Sequence, residues 1–232
     1  MKANLTFRML SVGAIVFFFN HQMLAQSYLT AHAGYGTSNL EVSGTPIDGL
    51  ISPYIKPIAQ YTAGIQYERA MSNRLAFITG LQYASRGFGA REDFNVNVFG
   101  LDLPVGAQIE TRLDYIEVPL VAKYNLVEKG VTPYIKAGAS TGYAFNGKIT
   151  PKINALITWN LPAININLNN DMYNRVDVSA LVGAGVIIPV LELGSLNFDL
   201  TYRHSLNDMF QDNIVKIKSH GLSAGVGFTM RF

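Results

Sequence analysis

Leu222-Ser223-Ala224-Gly225-Val226-Gly227-Phe228-Thr229-Met230-Arg231-Phe232 are the last residues of the sequence, and their spacing decides the fold. Leu222, Ala224, Val226, Phe228, Met230 and Phe232 take every second position, and small or polar residues fill the gaps. Successive side chains of a strand point to opposite faces, so this is a strand with one apolar and one small or polar face. A helix would mix the two sets and carry the cost of two interior glycines.

The same dyad repeat recurs seven times upstream. It covers Leu29–Tyr35, Tyr61–Tyr67, Leu75–Tyr83, Leu113–Tyr124, Ile135–Tyr143, Val176–Val186 and Leu196–Tyr202. In Leu113–Tyr124 the phase reads as slipping near Tyr115, which predicts a bulge with Pro119 at or beside it. The connections alternate in length. Long ones cover about 36–60, 88–112, 144–174 and 205–218, and short ones about 70–74, 125–131 and 188–195. Alternation of this kind is expected of an even-stranded barrel with both termini on the short-turn side.

With alternate strands running in opposite directions, Tyr35, Tyr61, Tyr83, Tyr143 and Tyr202 fall at one end of the strands. Tyr67, Tyr124 and Phe232 fall at the other. Two aromatic levels are the mark of two membrane interfaces. The reading is all-β: an eight-stranded, antiparallel, up-and-down transmembrane β-barrel in contact with outer-membrane lipid. Unpaired backbone groups cost several kcal/mol each in hydrocarbon, so the strands must close on themselves.

Composition agrees. Of 232 residues, 49% are hydrophobic but only 15% charged, against roughly 25% in soluble domains. The sequence has no cysteine, which excludes disulfides, thiolate metal sites and a cysteine nucleophile. Residues 1–25 read as a cleavable export signal, with Lys2 and Arg8 before the apolar run Met9–Phe19. That run is shorter than the roughly 20 residues a spanning helix needs. Processing after Ala25 leaves 26–232 as the barrel and takes the net charge from +2 to 0. No basic cluster marks a nucleic-acid partner.

Several stretches resemble the PorT-like family of small outer-membrane β-barrel proteins. They are Leu81-Gln82-Tyr83-Ala84-Ser85-Arg86-Gly87, Tyr115-Ile116-Glu117-Val118-Pro119-Leu120-Val121-Ala122-Lys123-Tyr124, Pro133-Tyr134-Ile135-Lys136-Ala137-Gly138, Tyr202-Arg203-His204-Ser205-Leu206-Asn207 and the terminal Gly227–Phe232. The resemblance implies an outer-membrane address and Phe232 as part of the signal read by the barrel-assembly machinery. It also carries an association with protein secretion.

The inward faces collect Glu68, Arg86, Glu117, Lys123, Lys136, Arg175, Asp177, Asp199, Arg203 and Arg231. Eight strands leave a bore just wide enough to be filled by side chains, so all of these except Arg175 are expected to form a polar network that plugs the lumen. A narrow path for an ion or apolar solute is the alternative, and a lipid-modifying enzyme a further one. The latter would rest on His204-Ser205 and Ser219-His220, but sequence neighbours on a strand face opposite ways. No metal-ligand spacing or phosphate-binding loop is present, and no cofactor is expected. In the third long connection Trp159, Leu161, Ile164, Ile166 and Leu168 read as a candidate binding surface for an apolar ligand, lipid or secreted partner. The function read from the residues is a non-enzymatic structural or interaction platform.

Overall fold

A computed structural model describes residues 26–43, 52–98, 101–154, 158–166, 168, 174–190, 194–209 and 216–231. Eight long strands dominate: β1 (Ser27–Ser43), β2 (Ile58–Ala70), β3 (Leu75–Val98), β4 (Leu101–Asn125), β5 (Thr132–Asn154), β6 (Val176–Val190), β7 (Gly194–Ser205) and β8 (Lys216–Arg231). Each pairs antiparallel with the next. β8 then pairs with β1, from Tyr28 opposite Arg231 to Ser43 opposite Lys216. The ladder is a closed ring, so no spanning strand presents an unpaired edge to lipid.

Burial follows the dyad. On β4 Leu113, Tyr115, Glu117, Val121 and Lys123 are buried, while Ile116, Val118, Leu120 and Tyr124 are 40–49% exposed. Ile65, Leu81, Ile135, Val182, Leu200 and Leu222 continue this exposed apolar band around the ring. Such a surface is stable against hydrocarbon and a liability in water.

Two sequence expectations need correction. The alternation of β4 does not slip at Tyr115; its odd residues point inward from Leu113 to Lys123. The irregularity is a register shift against β5, where Asp114 faces Asn146 and Tyr115 faces Ala144. Phe145 is therefore the extra residue. Large inward side chains at 113 and 115 beside an outward Asp114 imitate a phase change. Pro119 has a smaller effect: the β3–β4 ladder skips Gly80 and Leu81 there, because proline offers no N–H.

The second correction concerns the long connections. Most of 88–112 is not loop, since β3 and β4 stay paired from Phe88 opposite Thr111 to Val98 opposite Leu101. β5 likewise continues to Asn154. Two-residue or three-residue strands widen this sheet: Ile55–Lys56 pairs with Gly89–Ala90, Thr158–Asn160 with Lys152–Asn154, and Ile164–Asn165 with Lys148–Ile149. Glu92, Asp93 and Pro104 make this stretch look like loop, but a ribbon in water tolerates charge and proline at its margins. At the opposite end the turns are short. The one at 126–131 holds Gly130 at φ 76, a backbone conformation that glycine adopts without strain.

Candidate functional site

The bore is filled in layers, starting from the short-turn end. There a chamber of about 910 Å³ opens to solvent, lined by Tyr28, Glu68, Lys123, Asn125, Asn197 and Thr229. Its inner limit is a first set of ion pairs. Lys123 Nζ lies 2.5 Å from Glu68 Oε2, and Lys136 Nζ lies 2.8 Å from Asp199 Oδ1. The Asp199 carboxylate also accepts from Thr201 and Tyr134 and lies 3.5 Å from His32 Nε2.

Beyond a void of about 70 Å³, lined in part by Gln60, Gln66 and Gln82, comes a second, tighter set. Arg86 Nη1 is 3.3 Å from Glu117 Oε2, and Arg86 Nη2 is 2.7 Å from Asp177 Oδ2. Arg203 contacts the same two carboxylates, touching Asp177 and lying 3.8 Å from Glu117. Three serines complete the shell: Ser140 donates to Glu117, and Ser179 and Ser205 donate to Asp177. Gln82 adds a bond to Glu117 at 3.2 Å. Two guanidinium groups thus alternate with two carboxylates in a neutral, almost fully buried cluster. Such a cluster holds only while every member is present, because removing one strands a buried charge.

Above this layer the interior turns apolar. Arg86 stacks 3.9 Å from the centre of the Tyr115 ring. Tyr115 packs with Ala84, Leu113, Ala144 and Leu168, and Ile166 and Met209 close over them. Among the described residues this lid has no counterpart at the short-turn end.

The structure brings Glu68, Arg86, Glu117, Lys123, Lys136, Asp177, Asp199 and Arg203 into the bore. It does not bring Arg231, which is exposed at the short-turn end of β8. Arg175 sits at the opposite mouth, bonded to the Leu168 carbonyl and the Tyr143 hydroxyl. His32, Tyr134 and the serines at 140, 179 and 205 belong to the network although their types did not mark them. Inward parity alone could have found them.

The five residues of the apolar surface also separate. Trp159, Leu161 and Ile164 are 43–66% exposed, whereas Leu168 is 7% exposed and Ile166 is half-buried. Ile166 N–H donates to the Gly147 carbonyl at 2.8 Å, which turns this segment over the bore. Tyr35, Tyr61, Tyr83, Tyr143 and Tyr202 are 41–61% exposed on the outer wall, with the Tyr35 and Tyr61 rings 5.5 Å apart. At the short-turn end Tyr124 is 41% exposed and Tyr67 half-buried, its hydroxyl 2.9 Å from Ser27 Oγ. Phe232 lies outside the described residues.

A closed ring with a greasy wall and a charged, filled bore is a membrane barrel. Residues 22–211 match the family described as outer membrane protein beta-barrel domain. The chain belongs to that family. Its place is therefore the outer membrane, as an integral barrel. No curated protein matches the sequence. Among solved structures the chain is similar to neisserial surface protein A at 16% identity, over 89% of this chain and 99% of that one, with a TM-score of 0.42. It is similar to Ail, the attachment invasion locus protein of Yersinia pestis, at 17% identity, over 90% and 100%, with a TM-score of 0.39. The outer membrane protein OprG from Pseudomonas aeruginosa matches at 10% identity, over 88% and 96%, with a TM-score of 0.40.

Proposed function

We propose that this outer-membrane barrel is a closed, non-enzymatic platform that works through the sheet it raises above the cell surface. The observation that carries this reading is the double closure of the bore: the Arg86–Glu117–Asp177–Arg203 cluster beneath the lid of Leu113, Tyr115 and Leu168. A solute path would have to break both. The catalytic alternative has little support, because the Ser205 hydroxyl is bonded to Asp177 and Ser179. His204 stands on the other face of β7, opposite His220.

The working surface is narrower than the sequence suggested. Trp159 is the register partner of Ile153, which in turn faces Ala107, and cross-strand partners share a face. Trp159, Ile153 and Ile109 are 41–66% exposed, which suits an extracellular or secreted partner with apolar side chains. The finer assignments belong to the same proposal: a PorT-like barrel tied to secretion, exported by cleavage after Ala25 and inserted by assembly machinery that reads Phe232. Planar-bilayer recording of the refolded protein tests the closed state. The expected result is an unbroken baseline; stable single-channel steps would overturn it.

A further inference from the structure

The ring brings together two histidines that the chain keeps far apart. His204 of β7 and His220 of β8 are direct cross-strand partners, and Asn39 of β1 is the partner of His220 on its other side. Ser38, Ser205 and Ser219, their sequence neighbours, are buried on the inner face. By alternation Asn39, His220 and His204 form one row on the outer wall. Tyr202 and Leu222, two residues nearer the membrane centre, are 42% and 52% exposed, which places the row just beyond the aromatic level.

Direct partners carry their Cβ atoms about 4.5–5.5 Å apart. Two nitrogens each about 2 Å from one metal ion lie roughly 3–4 Å from each other, within reach of rings so placed. The other neighbour of His204 is Ala180 of β6, a residue too small to crowd it. Both imidazoles are half-buried.

Two polar atoms in this row lack partners. His220 Nδ1 and Asn39 Oδ1 are both buried and have no hydrogen bond, an arrangement rare enough in native structures to need a cause. A metal-bound imidazole supplies one, since histidine ligands donate their second ring N–H to a carbonyl or carboxylate. Asn39 offers that carbonyl on the neighbouring strand, leaving Nε2 of His220 to the ion.

The donors also select the ion. Among the described residues no cluster of three His, Asp or Glu forms, and the charges one step outward, Glu41 and Lys218, are partners of each other. The set is therefore two imidazoles without a carboxylate. Calcium and magnesium take oxygen ligands, whereas imidazole suits copper, nickel and zinc.

We infer that His204 and His220 bind a divalent transition-metal ion on the outer wall, with Asn39 positioning His220 and water completing the coordination. Titration of the full chain in micelles, expressed without a histidine tag, tests this with Zn²⁺, Cu²⁺ and Mg²⁺ as probes. The wild type is expected to bind one equivalent of Zn²⁺, to bind Cu²⁺ more tightly and to ignore Mg²⁺. His204→Ala and His220→Ala should each weaken Zn²⁺ binding at least tenfold. In spectra of the ¹⁵N-histidine-labelled chain, Zn²⁺ should shift the His204 and His220 rings together and leave His32 in place. Asn39→Ala should weaken binding about tenfold and release His220 from its Nδ1–H tautomer. A loss below tenfold in either histidine variant, with heat-modifiable gel migration intact, overturns the site, as does a shift of one ring alone. An unchanged tautomer in Asn39→Ala overturns the role of Asn39. Where an alanine variant does not fold, the glutamine variant at that position is held to the same tenfold limit.

Discussion

β4 passes from one solvent to another, and its two halves make opposite choices. In the membrane half, Ile116, Val118 and Leu120 face out while Glu117 and Lys123 face in. Beyond the tyrosines, Gln108, Glu110 and Arg112 carry the outward parity, while Leu113 carries the inward one and packs into the lid. The pleat runs on without interruption, and polarity changes sides. Below, the exterior is hydrocarbon and must be apolar; above, it is water, and the apolar face turns to the lid of the bore instead. The alternation of a strand therefore records its fold, and which phase is greasy records what surrounds it.

The comparison breaks most severely in the bore. Glu117→Leu leaves Arg86 and Arg203 to share Asp177, and a stranded buried charge costs about 3–5 kcal/mol. Urea unfolding in micelles, followed by the gel shift, should show a loss of that size. A lipid-facing charge ranks next. Val118→Arg should destabilise by about 2–4 kcal/mol in phospholipid vesicles. The lid comes third: Leu168→Ala empties a packed position over the bore and is expected to cost about 2 kcal/mol. Smallest is Gln108→Arg, ten residues from Val118 on the same face of the same strand, with an expected change within about 0.5 kcal/mol. Similar losses at 108 and 118 would mean that both sites meet the same solvent.

Within the membrane the sequence reading was close to complete, because hydrocarbon enforces one rule on every strand. The eight strands and the inward positions of Arg86, Asp177 and Arg203 follow from period two alone, whereas Glu117 lies where the phase of its strand read as slipping. Outside, the rule reverses and the pattern misleads. Leu113 and Tyr115 read as a slipped phase because they are apolar residues on a face that is polar lower down. The span 88–112 read as loop because its charges and proline suit water, although its backbone stays paired. Ile166 and Leu168 alternate with asparagines like an exposed strand, yet the chain bends at Ile166 toward Gly147 and buries Leu168. Single serines at 140, 179 and 205 carry too little chemical signature to be picked out without the neighbours that the ring supplies.

The native sequence has no cysteine, so single cysteines along the even positions of β4, from 108 to 122, give a clean probe in intact envelopes. A membrane-impermeant maleimide should label positions 108, 110 and 112 readily and leave 116, 118, 120 and 122 unlabelled, with the change falling at Asp114. Uniform labelling along the whole strand would contradict the account, for it would mean that one solvent bathes both halves.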